Sequence, residues 1–257
     1  MTAAGAPEPE PDPKPYVSGP PVGYAVPDAL ARLAGGPVTL VWRNVAGGLT
    51  GRVDGPEPRF IKWNPAGSGE SLAAEAERMR WLADRHPAPR VIDLHVTAEE
   101  ELLVTAGLPG RSAVDPEWLD RPDEAVRAIA EGLRTLHALP PESCPFDWGV
   151  AARVRVAASR GIDVPHELRT PPPIDRLVVC HGDACAPNTL LDDAGRFLAT
   201  MDVGRLGLAD RWADLAAAVM SLGWNYPEYD EDLFWRAYGA VPDRVRLDYY
   251  QRLWDAT

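Results

Sequence analysis

The chain of 257 residues carries a formal net charge of −12, which argues against a nucleic-acid-binding surface, because such surfaces are basic. No uninterrupted run of about 18 apolar residues occurs, so no membrane span is expected, and three cysteines without paired spacing give neither a disulfide framework nor a metal-ligand pattern. The first residues lack the charged and apolar regions of a secretory signal, so a reducing cytoplasm is the expected compartment.

Residues 1–22 are rich in Pro, Ala, Gly and Glu and nearly free of large apolar side chains, the composition of a disordered tail. Order is expected from Gly23, with a short Pro-started helix over Pro27–Leu33. Three antiparallel strands follow over Val38–Val45, Gly51–Asp54 and Arg59–Trp63. Between the first two lies AGGLTG, whose Gly48 can bring backbone N–H groups close to a phosphate, although a plain hairpin turn explains the glycines equally well. Only two of the 26 basic residues are lysines, and one of them, Lys62, sits inside the apolar strand RFIKW. An arginine-rich chain that keeps a lysine there invites a functional reading. Ser71–Asp84 follows as a helix with Leu72, Ala76, Met79 and Leu82 on one face and Glu75 and Glu77 near its start.

Arg90–His95 and Glu101–Thr105 read as two further strands, completing a sheet of about five with the helix on one face. Thr105–Gly110 is then the connector out of the sheet. Beyond it the pattern is mainly helical. Asp123–Leu139 places Ala125, Ile129, Leu133 and Leu136 at helical spacing, and His137 reads as structural. Helices are also expected over Asp210–Leu222 and Val245–Trp254, and Tyr226–Asp232 is an acidic and aromatic patch.

The most informative stretch is Leu177–Leu215. Two apolar segments, Leu177–Cys180 and Phe197–Met201, deliver polar residues at their ends: His181, Asp183 and Asn188 after the first, Asp202 after the second. Four residues separate Asp183 from Asn188, and Asp202 opens an Asp-Val-Gly triplet. That is the layout of a kinase catalytic loop and the metal-binding turn after it. Phosphoryl transfer needs a carboxylate to take the acceptor hydroxyl's proton, and an amide and a second carboxylate to hold Mg²⁺ on the donor phosphates. The pattern thus names Asp183 as base and Asn188 and Asp202 as metal ligands. Turn chemistry explains each residue singly but not the set.

HGDACAPNTLLD followed by MDVGRLGLADRWADLA resembles the aminoglycoside phosphotransferases, specifically their 3′-phosphotransferase branch; CPFD, LLVTAGLPG and the C-terminal LWDAT resemble them too. The resemblance spans about residues 38–257. It implies an α+β, bilobal protein-kinase-like fold, with an N-lobe of antiparallel sheet plus helix over 23–106 and a mainly helical C-lobe over 107–257. It also implies ATP or GTP as co-substrate, Mg²⁺ as cofactor, and a cationic amino-sugar acceptor, in a monomer or weak dimer without nucleic-acid or membrane partners. Thr105–Gly110 would be the hinge, with Thr105 and Leu108 as candidate contacts to a nucleotide base. Aligned on Trp81-Leu82, Glu75 takes the position that pairs with Lys62, with Glu77 as the alternative. Asp214 would anchor the catalytic loop, and Arg205 would approach the transferring phosphate or remain a surface arginine. Acidic groups would hold the acceptor's ammonium groups: Asp163, Glu228, Asp230, Asp255 and the Thr257 carboxylate. The 148–176 segment departs from the family by being shorter and carrying four arginines before Pro171. A same-fold kinase for another small molecule and a nucleotide-binding pseudokinase are the alternative functions.

Overall fold

The computed structural model describes residues 23–44 and 46–257, so the expected tail and Val45 lie outside the described residues. Helix α1 (Asp28–Ala34) follows Pro27 and ends at Gly35, whose φ of 66° closes it in the left-handed conformation. Strands β1 (Thr39–Arg43), β2 (Leu49–Val53) and β3 (Arg59–Pro65) form an antiparallel meander. Helix α2 (Leu72–Leu82) comes next, its first turn capped by the Ser71 hydroxyl accepting from Ala74 N–H. Strands β4 (Val91–Val96) and β5 (Glu100–Ala106) complete a five-stranded sheet of order β1-β2-β3-β5-β4.

The sheet is covered on both faces rather than one. Side chains alternate along a strand, so Leu102 and Val104 of β5 pack with Leu30 and Ala34 of α1. Leu103, between them, packs with Leu72, Ala76, Met79 and Leu82 of α2. An apolar Leu-Leu-Val run is what a strand buried on both faces requires. The same alternation decides where Lys62 points. Ile61 belongs to the α1 side, and Lys62, in register with Leu103, therefore faces α2.

Past the sheet, the short strand β6 (Arg111–Ser112) and helix α3 (Pro116–Leu119) lead into α4 (Pro122–Leu136). Helix α5 (Val150–Ser159) occupies the arginine-bearing segment. Strands β7 (Leu177–Cys180), β8 (Thr189–Leu191), β9 (Phe197–Thr200) and β10 (Gly207–Asp210) form two small sheets, β10-β7 and β6-β8-β9. Three helices end the chain: α6 (Trp212–Asn225), α7 (Glu231–Tyr238) and α8 (Arg244–Asp255). Helix α6 is buried on nearly every side from Trp212 to Leu222, and α4, α7 and α8 pack in one core with it. Among the described residues no helix is long and apolar enough to cross a membrane.

Several boundaries differ from the sequence reading, each for a physical reason. Asp210 is not the start of a helix but the last residue of β10, opposite Leu177 of β7, and α6 begins only at Trp212. Helix α4 ends at Leu136 because His137, its cap, turns into a buried network. The acidic patch 226–232 runs into α7, which Asp230 initiates.

Helix α2 connects the two halves. Its apolar face reaches beyond Leu103 to Val179, Val203 and Leu206, which flank the two polar loops. Truncating a buried side chain such as Met79 to Ala would cost about 2–5 kcal/mol and would loosen the sheet from those loops together.

Candidate active site

Lys62 Nζ lies 2.6 Å from Glu75 Oε1 and 3.0 Å from Asp202 Oδ1. Strand alternation aims the lysine at α2, and the apolar face of α2 fixes which glutamate meets it. Glu75 is buried beside Ala76, whereas Glu77 lies on the exposed side. Burial disfavours the ammonium ion, but the charges of Asp202 and Glu75 outweigh it and raise the Lys62 pKa above its ordinary value. The Lys62 charge in turn lowers Asp202, against the opposing effect of its own burial. Burial dominates at Glu75 and raises it.

Asp202 has φ 57°, one of two non-glycine residues described with positive φ. The left-handed conformation is uncommon for side-chain-bearing residues, with Asp and Asn the readiest to adopt it. Strain of this kind gathers at functional sites. It turns the Asp202 carboxylate toward Lys62 while Val203, fully buried, locks the turn into the α2 core.

Asp214 organises the catalytic loop. Its Oδ2 accepts from His181 N–H at 2.6 Å and its Oδ1 from Gly182 N–H at 2.9 Å. His137 Nε2 lies 2.9 Å from the same Oδ2, and His137 Nδ1 is 2.8 Å from the Tyr238 hydroxyl. Burial works against the Asp214 charge, but the His137 bond and these N–H groups lower its pKa nonetheless. His137, Cys180 and Asp214 bring potential ligand atoms within 4.8 Å of one another; the Asp214 oxygens are already engaged as loop anchors. Gly182 has φ 82°, and a Cβ there would stand 2.2 Å from the Arg205 carbonyl oxygen, so only glycine lets the two loops approach.

From this anchored turn the loop presents Asp183, half-buried, whose carbonyl accepts from Asn188 Nδ2 at 2.9 Å. That bond points the Asn188 Oδ1 away from the backbone it holds. The Asn188 amide oxygen and the Asp202 oxygen not bonded to Lys62 are hard donors of the kind Mg²⁺ prefers and would hold it. The residues fit the ion.

Gly48 immediately precedes β2; its N–H bonds Asn44 Oδ1 at 2.6 Å and an added Cβ would meet Asn64 Oδ1 at 2.1 Å. The Asn44 Nδ2 donates to Glu70 Oε2 at 2.9 Å, and Glu70 Oε1 lies 3.7 Å from Arg205 Nη2. Thr105 is buried within the sheet, in register with Phe60 and Val91. The next two N–H groups, of Ala106 and Gly107, bond the Arg90 and Pro58 carbonyls, so Leu108 is where the hinge leaves the sheet.

The acceptor-side candidates are not drawn into this cluster. Asp163 is exposed and bonds Arg169 at 2.5 Å. Asp230 caps α7 by accepting from Leu233 N–H and pairs with Arg236 at 2.8 Å. Asp255 and Glu228 are exposed. The Thr257 hydroxyl accepts from Arg153 Nη2 at 2.9 Å and donates to the Leu253 carbonyl. Arg153 is 4 % exposed, and its Nε has no hydrogen-bond partner. Burial, reinforced by Arg205, pushes its pKa down to about 10. The sequence reading missed Asn44, Glu70 and Arg153; no local pattern marks them, because the partners that give them a role, Glu70 for Asn44, Arg205 for Glu70 and Thr257 for Arg153, lie far off in the chain.

A family model described as the phosphotransferase enzyme family matches residues 42–161 and 164–250. An aminoglycoside 3′-phosphotransferase of Streptomyces fradiae is 38% identical over 241 residues, covering 80% of this chain and 88% of that protein. A streptomycin 3″-kinase of Streptomyces griseus is 34% identical, covering 76% and 83%. Among solved structures, an aminoglycoside-3′-phosphotransferase of type VIII superposes with a TM-score of 0.75 at 32% identity, over 90% of this chain and 98% of that one. The aminoglycoside phosphotransferase APH(3″)-Id of Streptomyces rimosus gives 0.70 at 31% identity, over 88% and 95%. The fold shared with them is the bilobal, protein-kinase-like α+β arrangement.

Proposed function

The chain belongs to the phosphotransferase enzyme family, and we propose that it moves the γ-phosphate of ATP or GTP onto a hydroxyl of an aminoglycoside, the 3′-hydroxyl, conferring resistance. The observation that carries the reading is the triad of Lys62, Glu75 and Asp202, bonded at 2.6 and 3.0 Å across residues far apart in sequence. A cation held between two carboxylates at the foot of a glycine hairpin is suited to triphosphate. Support for the 3′ position comes from relatives named as 3′-phosphotransferases at 38% and 37% identity, against 34% for the 3″-kinase.

In this reading the two lobes meet near residue 106, and the base docks where Thr105–Leu108 leave the sheet. Lys62, fixed by Glu75, orients the α- and β-phosphates. Asn188 and Asp202 would hold Mg²⁺, which supplies charge neutralisation on the phosphates when bound. Asp183 accepts the hydroxyl's proton as the new P–O bond forms and the bond from the γ-phosphorus to the β,γ-bridging oxygen breaks, the nucleoside diphosphate leaving with that oxygen. Asp214 keeps its loop in register through two backbone N–H groups. Arg205, on the turn after Asp202, meets the transferred phosphoryl group. Exposed Glu228 and Asp255, with Asp163 and Asp230, make up the acidic side of acceptor binding.

A second reading, a same-fold kinase for a less cationic acceptor, rests on one observation. Asp147, Asp163 and Asp230 are each paired to an arginine, Arg155, Arg169 and Arg236, which weakens their attraction for ammonium groups. A coupled ADP- and GDP-release assay across amino-sugar antibiotics, with both donors, tests the two. Turnover with 3′-hydroxyl aminoglycosides but not with 3′-deoxy analogues supports the first; turnover only with acceptors of one or no amine supports the second.

A further inference from the structure

The loop between β3 and α2, residues 66–71, bridges the halves of the molecule. Gly67 and Gly69 take φ 78° and 75°, folding it tightly. The Gly69 carbonyl accepts from Arg160 Nη2, at the end of α5, at 2.8 Å. The Asn64 amide steadies the loop through the Glu70 carbonyl at 3.4 Å. Its Glu70 side chain then has two partners of different kinds. One oxygen takes the Asn44 amide, which itself holds the Gly48 N–H of the hairpin. The other faces Arg205 Nη2 at 3.7 Å, with both side chains 30% exposed.

Resting on the kinase reading above, we infer that Glu70 is a positioning residue for the phosphate donor: it anchors the glycine hairpin through Asn44, and it and the donor's phosphates are alternative partners of Arg205. A half-buried carboxylate 3.7 Å away, beyond hydrogen-bond distance, holds a guanidinium weakly. A phosphoryl group, with more charge and oxygens matched to the planar fork, holds it better. Arg205 therefore exchanges one anion for another, so that it is never left as a lone cation. The Asn44 bond is independent of that exchange, so the hairpin stays tethered when Arg205 leaves.

The test is calorimetric titration of the full chain with Mg²⁺ and a non-hydrolysable ATP analogue. Glu70→Gln keeps an oxygen for Asn44 but removes the charge that competes for Arg205, so the analogue should bind about two- to fivefold tighter, the range set by a weak, half-buried pair. Glu70→Ala also loses the hairpin tether and should bind more weakly than Glu70→Gln. In an Arg205→Gln background the gain from Glu70→Gln should vanish, and Arg205→Lys provides a second partner variant if the first is poorly folded. Unchanged or weaker binding by Glu70→Gln overturns the inference. So does an equal gain in both backgrounds, which would mean a general charge effect, or equal binding by the two Glu70 variants, which would remove the tether. Failure of the parent chain to bind the analogue would overturn the kinase reading instead.

Discussion

Asp214 grips the backbone N–H of His181 at 2.6 Å although 33 residues separate them, and through that bond the core helix α6 sets the height of the catalytic loop. Asp214→Asn would replace one acceptor oxygen by an amide and set it against an N–H donor. Displacement of a reacting group by about 1 Å costs on the order of 100-fold in rate. Turnover should therefore fall about 100-fold while the nucleotide dissociation constant stays within about threefold, since Lys62 and Glu75 are untouched. Equal losses in both would make Asp214 a general stabiliser instead.

Asp183 is the group assigned to the acceptor's proton. Asp183→Ala should lower turnover by about 10²–10⁴, the usual contribution of general base catalysis, and leave nucleotide binding close to the parent's. Near-parental ADP release by this variant would end the mechanism proposed here.

Lys62→Met removes the one cation between two carboxylates. Severing a buried ion pair costs about 3–5 kcal/mol; with the Lys62 side chain 24% exposed, about half of that is expected at pH 8. The pH dependence has a definite sign. Lys62 lowers Asp202 below its ordinary 3.8, so the pair's stabilisation is present above that value and lost as pH falls through the lower native pKa. Thermal melts should thus show the variant's deficit shrinking below about pH 4. A deficit that is constant from pH 8 to pH 3 would contradict the assignment.

His86 joins the loop after α2 to β9, with its Nε2 at 2.9 Å from the Thr200 hydroxyl. Burial, with small contributions from His181 and His137, pushes its pKa from 6.5 down to about 4. The unfolded chain therefore binds a proton that the folded chain refuses between those values, and stability falls as pH drops through 6.5 toward 4. The full loss is about 3 kcal/mol. The melting temperature should decline from pH 7.5 to pH 5, and His86→Gln should flatten the decline. An equally steep decline in the variant would place its origin elsewhere.

The sheet and the meeting of Lys62, Glu75 and Asp202 were legible because local chemistry and global placement coincide there. Gly-rich turns bound the strands, and the offset from Asp183 to Asn188 is fixed by one turn of chain. The choice of Glu75 over Glu77 was legible only with the resemblance; the structure adds that Ala76 and Met79 are the packed residues beside it. Helix α1 was anticipated but its packing on the second face of the sheet was not, because Leu30 and Leu33 alone carry too short a pattern to announce a partner. Asp230 was read for its charge, whereas an Asp three residues before a Leu-Phe-Trp run also fits a helix cap, which is how the structure uses it. Glu70 and Arg153 left no trace in the sequence, since their partners lie 135 and 104 residues away.

The scarcity of lysine gives this enzyme a built-in probe. Lys62 is the single lysine among the described residues, and its amine is kept protonated between Glu75 and Asp202. Acylating reagents attack the neutral amine, so labelling at this position would be slow at neutral pH and would quicken once either carboxylate were removed. Peptide mapping separates it from Lys14, the only other lysine. Mass spectrometry of one peptide would then report, without any acceptor in hand, whether a given nucleotide shields Lys62.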